Sequence, residues 1–262
     1  MLRRPRFVVL MASLMSLSVL FPASALAAAP TLSARVVQGG LVIPWDVDFA
    51  PSGEMFVTER PGRVKVFASG AIGATLLQTT TISSVRAQGE SGVMGMAVDH
   101  AFAINRFIYV CASRTYQGQW LNQVIRYRVG AGWHLDFNKY IIRLGMRANT
   151  IHNGCAVEEG PDQKLWITMG DGGIAMRAQN PNLLNGKVLR VNRDGSIPGD
   201  NPIWPGRSTP NRVSPAVPPL ALDHLRAADP RFGDRRGGEQ RESGEGEHER
   251  ESGHGRSLIA CR

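Results

Sequence analysis

Between Gly40 and about Asn201, apolar positions come in short runs separated by Pro, Gly, Asp and Asn, and helical spacing is nearly absent. This pattern predicts short strands joined by turns. The stretch PWDVDFAPSGEMFVTERPGRVKVF (Pro44 to Phe67) alternates Trp45, Val47 and Phe49, turns at Pro51-Ser52-Gly53, runs through Met55 to Thr58, turns at Pro61-Gly62 and ends in Val64 to Phe67. It reads as a β-meander. Gly92 to Arg114, followed by Val124, Ile125, Tyr127 and Val129, repeats the phrase, and GCAVEEGPDQKLWITMGD repeats it around a Gly160-Pro161-Asp162 turn. Each copy predicts an inner apolar strand, a turn, and a strand of β-branched and aromatic residues. The period is roughly 50 to 60 residues, as for propeller blades with loop insertions. A β-sandwich also uses many short strands. Three copies of one unit favour an all-β fold of the β-propeller type, because radial architecture requires repetition.

The two ends differ from this middle. The start has Arg3, Arg4 and Arg6, an apolar run from Phe7 to Phe21, and Ala25-Leu26-Ala27, which reads as a signal peptide over residues 1–27. The apolar run is shorter than the roughly 20 residues of a spanning helix. No later segment is long and apolar enough to span, so the expectation is an exported chain, secreted or periplasmic, with no membrane span after cleavage. From about Arg212 the composition shifts, and between Gly233 and Arg256 there is no aliphatic or aromatic residue. Residues 212–262 are therefore expected to be a low-complexity, disordered tail, leaving 28–211 as a partial propeller domain.

Composition adds three constraints. The chain has 262 residues, 43% hydrophobic and 20% charged, enough for a sizeable core. The net charge of +8 owes much to arginines at the two ends, and no basic face interleaves with aromatics, so a nucleic-acid partner is rejected. Cys111, Cys155 and Cys261 are too sparse to imply a disulfide framework. A Cys111–Cys155 bridge is conceivable, and spacing alone does not decide it.

Chemistry concentrates in TIHNGCAVEEGPDQKLWITMGDGG, where His152 precedes one hairpin unit and Asp171 follows it. A chain that goes out and back brings both to the same end of a blade. Imidazole titrates near neutral pH and accepts a proton there, and a neighbouring carboxylate orients it. Most single histidines are structural, so the context has to carry the assignment. Asp194, Ser196 and Asp200 look superficially like a calcium loop, yet the closing glutamate and flanking helices are missing. That segment reads as a polar turn.

These phrases, with GLVIPWDVDFAPSGEMFVTERPGRVKVF, GESGVMGMAVDHAFAINRFIYV and AQNPNLLNGKVLRVNRDGSIPGDNPI, resemble in order and spacing the PQQ-dependent soluble aldose sugar dehydrogenases, the glucose/sorbosone dehydrogenase family. The resemblance implies a six-bladed propeller holding pyrroloquinoline quinone (PQQ) over its central channel, with Ca2+ against the cofactor. It further implies His152 as general base on the anomeric hydroxyl, with Asp171 as its carboxylate. Glu90 and Asn153 match cofactor-binding positions. The substrate is then an aldose sugar, oxidised to a lactone, with electrons leaving to an external acceptor. Cys155 stands where the family has a second glycine after the histidine, and a left-handed backbone there would strain it. The family phrases that supply arginine and lysine contacts to the quinone, and much of the calcium site, do not follow Asn201, and no calcium ligands are found. About three blades are therefore expected, in a member truncated or frame-shifted after about residue 207. The alternative function is an inactive exported fragment or a non-catalytic binding module. A calcium-dependent lactonase on a similar propeller needs several carboxylates and asparagines converging on the channel; Asp171 and Asn153 are the available members.

Overall fold

The computed structural model describes residues 33–203 and 211–212, together with the backbone of a strand at 256–261. In chain order the strands and short helices are β1 (Ala34–Leu41), β2 (Pro44–Phe49), β3 (Met55–Glu59), β4 (Arg63–Phe67), β5 (Leu76–Thr81), β6 (Val93–Val98), α1 (Phe102–Asn105), β7 (Phe107–Tyr116), β8 (Gln119–Val129), β9 (Leu135–Ile142), β10 (Gly154–Glu159), β11 (Lys164–Met169), α2 (Met176–Gln179), β12 (Lys187–Asn192) and β13 (Arg256–Cys261). All described pairings are antiparallel. The sheets follow chain order, β2-β3-β4-β5, β6-β7-β8-β9 and β10-β11-β12, with β1 paired to β13. These are three consecutive propeller blades. The signal-peptide expectation lies outside the described residues, as does most of the tail. Within the described residues of the tail, Arg256–Cys261 is a strand and not disordered as expected, and it carries Leu258 and Ile259 just beyond the stretch without aliphatic residues.

The turns form where the sequence places them. Gly53 N–H bonds to the Ala50 carbonyl at 2.8 Å and Gly62 N–H to Glu59 at 3.0 Å, with φ of 102° and 131° that suit glycine. Strands β5 and β9 go beyond the predicted units. They are the outer strands of their blades; β5 is largely solvated, while β9 buries Leu135, Ile141 and Ile142 and exposes Asp136, Phe137 and Asn138. The short helix α1 was not predicted either. It places Phe102 in the core, edge-on to Phe56 at 5.8 Å.

On β2 the polar face is the one that packs against a neighbour. Trp45, Val47 and Phe49 are 41%, 36% and 49% exposed, while Asp46 and Asp48 turn toward the second blade. Their carboxylates accept hydrogen bonds from the Met96 and Val98 N–H groups of β6 at 2.8 and 2.6 Å. Burial raises the Asp46 carboxyl, and the bonds from Met96 and Val47 only partly offset it. Within blade two Tyr109 donates to Asp99 at 2.6 Å, and across to blade three His100 N–H donates to Glu159 at 2.8 Å and Arg193 pairs with both carboxylates. Apolar packing surrounds these links, with Met94, Tyr109 and Val124 of blade two against Val157, Leu165 and Leu189 of blade three.

Two consequences for stability follow. Gly95 on β6 faces β10 so closely that an added Cβ would lie 2.2 Å from the Cys155 carbonyl oxygen and 2.7 Å from the Ala156 Cα. Both are backbone atoms, so Gly95→Ala forces the inner strands apart. A loss of about 2–3 kcal/mol in urea unfolding is expected. Glu59 is buried among the Val42 N–H at 2.7 Å, Lys65 at 3.0 Å and Arg63 at 2.6 Å. Burial pushes its carboxyl up, and these partners outweigh that and leave it below its ordinary value. A depressed folded pKa adds stability that is complete above the unfolded value and is lost as pH falls through the folded one. Glu59→Gln should therefore cost about 3 kcal/mol at neutral pH, and the gap to wild type should narrow below about pH 4. Urea midpoints at a series of pH values measure it.

Candidate active site

Each inner strand carries an irregularity near its start. The register slips between Pro44 and Asp46 on β2, between Val93 and Met96 on β6, and between Gly154 and Val157 on β10. An extra residue there bends the strand and re-aims what precedes it. The segments leading into β6 and β10 carry Glu90 and His152, so two adjacent inner strands bring these residues to one end of the ring. Strand β11 runs back antiparallel to β10 and delivers Asp171 to the same end.

There the three residues meet. His152 Nδ1 lies 3.0 Å from Asp171 Oδ1, with the imidazole 59% exposed and the carboxylate 24%. Asp171 Oδ1 also accepts the Gly173 N–H at 2.8 Å. Glu90 Oε2 accepts the His152 backbone N–H at 2.6 Å, and Glu90 N–H bonds to the Thr150 carbonyl at 2.7 Å. Glu90 thus clamps the main chain of the histidine. His152 has φ of 55°, a conformation that costs a non-glycine residue of order 1–2 kcal/mol and has to be held by its surroundings. Its carbonyl is fixed by Gly172 N–H at 2.9 Å. Gly170 is required beside it, since an added Cβ there would stand 2.0 Å from that carbonyl oxygen.

Asn153 lies elsewhere. It is fully buried, and its amide oxygen accepts from Asn149 N–H at 3.0 Å and Asn122 at 3.2 Å, while its amide nitrogen donates to the Asn149 carbonyl at 2.6 Å. Its amide braces the loop behind His152 and does not join the exposed group. Cys155, predicted to be strained if left-handed, has φ of 73° and is bonded to Cys111 of β7, closing a sequence separation of 44 residues. The Asp194 segment is a turn. Asp194 accepts from Ser196 N–H and its hydroxyl at 2.9 and 2.6 Å, and Asp200 pairs with Arg190 at 2.8 Å.

Sequence reading missed the residues that hold the Asp171 loop. Asn149 donates to the Gly172 carbonyl at 2.8 Å, Asn185 to Gly170 at 3.1 Å and Arg147 at 2.9 Å, and Arg177 to Gly172 at 3.2 Å. The asparagine-rich phrase before β12 was a usable signal, because asparagine caps backbone groups in irregular loops.

Three consecutive blades, with a histidine just before one inner strand and its carboxylate just after the next strand of the same blade, define part of a β-propeller with an active-site-like edge. Comparison with known proteins agrees. A family profile described as Glucose / Sorbosone dehydrogenase matches residues 41–213, and the chain belongs to this family. It is 31% identical over 190 residues to an uncharacterized Synechocystis protein, covering 66% of this chain and 46% of that one. It is 28% identical over 199 residues to quinoprotein glucose dehydrogenase B of Acinetobacter calcoaceticus, covering 66% and 41%. The PQQ-bound aldose sugar dehydrogenase of Streptomyces coelicolor superposes with a TM-score of 0.59 at 26% identity, covering 68% of this chain and 54% of that structure. The chain spans less than half the length of these two curated relatives. Among the described residues no helix is long and apolar enough to cross a membrane.

Proposed function

We propose that this chain carries the base-bearing half of a PQQ-dependent sugar dehydrogenase, exported to the periplasm, that oxidises the anomeric carbon of an aldose to a lactone. The observation behind this reading is the His152–Asp171 pair, 3.0 Å apart with the imidazole half exposed. With Nδ1–H donating to Asp171, Nε2 is the nitrogen that accepts a proton. It takes the C1 hydroxyl proton as the C1–H bond breaks. The C1–O bond becomes the lactone carbonyl, and Asp171 stabilises the imidazolium that results.

The residues present suit an anionic planar quinone in part. Arg177 donates to the Asp171 and Gly172 carbonyls at 3.5 and 3.2 Å, placing a cation on the loop that carries Asp171. Arg177 and His152 are the residues that would hold the cofactor here. When bound, PQQ supplies a two-electron acceptor for the hydride, which an external acceptor then drains. Among the described residues no three His, Cys, Asp or Glu stand together as a metal site, so no step is assigned to Ca2+.

The test is to add PQQ and Ca2+ to purified protein and follow PQQ binding and glucose-dependent dye reduction. Saturable binding with dye reduction that disappears in His152→Gln supports the reading. Absence of saturable PQQ binding by a folded chain overturns it. One observation favours the alternative, a non-catalytic binding module: the first blade leaves Trp45, Val47 and Phe49 uncovered, a patch able to take a partner.

A further inference from the structure

We infer that the Cys111–Cys155 disulfide is a positioning element for the His152 loop, a role that deepens the functional reading above and rests on it. Cys155 lies three residues after His152 at the irregular start of β10, where the register slips between Gly154 and Val157. It is left-handed at φ 73°, next to Gly154 at 65° and close to His152 at 55°. Three left-handed residues within four positions form a turn that an unrestrained chain of L-residues leaves readily.

Cys155 is pinned from two directions. Its sulfur is bonded to Cys111 on β7, and its carbonyl lies against Gly95 of β6, where even a methyl group would collide at 2.2 Å. Both cysteines are fully buried in the packing between blades two and three. From this fixed point the chain runs back to the site through two further bonds. Asn153 O accepts Gly170 N–H at 3.1 Å, and His152 O accepts Gly172 N–H at 2.9 Å. Both donors belong to the loop that carries Asp171. Holding Cys155 left-handed therefore sets where His152 and Asp171 stand relative to each other. A bridge that served only global stability has no reason to sit on a left-handed residue within this turn.

Backbone amide exchange read by NMR tests this without any catalytic assay. In Cys111→Ala the amides of His152, Gly170 and Gly172 should exchange at least tenfold faster than in wild type, after division by the change seen in β3 and β4 of blade one, outside the two blades the bridge joins. In Cys111→Ala/Cys155→Gly, where glycine accepts the left-handed backbone without a tether, the selective increase should shrink to about threefold. Loop amides that speed up less than twofold beyond those of β3 and β4 in Cys111→Ala overturn the proposal. Should that variant lack native circular dichroism, the same twofold limit applied to the double variant decides. Because exchange does not depend on turnover, a loop that loosens selectively in a chain that binds no PQQ rejects the dehydrogenase reading and leaves the positioning role standing.

Discussion

His152→Gln should lower glucose turnover by PQQ-loaded protein by about 10²–10⁴-fold with little change in KM, the range for loss of a general base and equivalent to about 3–5 kcal/mol. Glutamine is a discriminating replacement. Its backbone meets the same left-handed requirement as histidine at φ 55°, so the Glu90 and Gly172 bonds to the main chain are retained. Its amide can donate to Asp171, so the loop keeps its shape. What it lacks is a nitrogen that takes up a proton. A fall in kcat at constant KM then reports a contribution made in the transition state, and equal losses in binding would instead point to a misplaced loop. Asp171→Asn should give a smaller loss through misorientation of the imidazole. Glutamine turning over at the wild-type rate would remove His152 from the reaction.

The pairing of His152 with Asp171 was legible in sequence because a strand–turn–strand unit returns the chain to its starting end, and a single hairpin fixes that. The direction of Asn153 was not. It depends on the extra residue at the start of β10, and one inserted residue re-aims everything before it. Glu90 matched a cofactor position by motif, and its bond to the His152 backbone was not legible there. Alternation in Trp45-Asp46-Val47-Asp48-Phe49 correctly gave two faces, and it contains nothing that says which face is covered. Here backbone donors on β6 claim the aspartates. Strand β5 went unseen because a solvated outer strand carries little apolar signal, and β9 because its apolar residues at 135, 137 and 140–142 keep no period of two. Blade order was legible, since each repeat begins with its inner strand and the sheets follow chain order.

Removing the disulfide by Cys111→Ala/Cys155→Ala should destabilise the chain by about 4 kcal/mol, one of the largest single stability effects expected here. The sequence separation of 44 residues sets the loop whose closure entropy the bridge removes from the unfolded state, and the chain-entropy relation gives about 4 kcal/mol at that length. Alanine adds little in the folded state beyond a small cavity, because both sulfurs lie among Met94, Tyr109 and Val124 on one side and Val157 and Ile167 on the other. Spacing did not predict this pairing, since a 44-residue separation is compatible with many partners until β7 and β10 are placed side by side. Urea unfolding measures the loss, and it should fall on blades two and three, which the bridge joins. Cys155→Gly in the Cys111→Ala background should recover about 1 kcal/mol by relieving the left-handed residue. A bridge-free protein with an unchanged urea midpoint would show that the unfolded chain gains no freedom when the link between the two blades is cut.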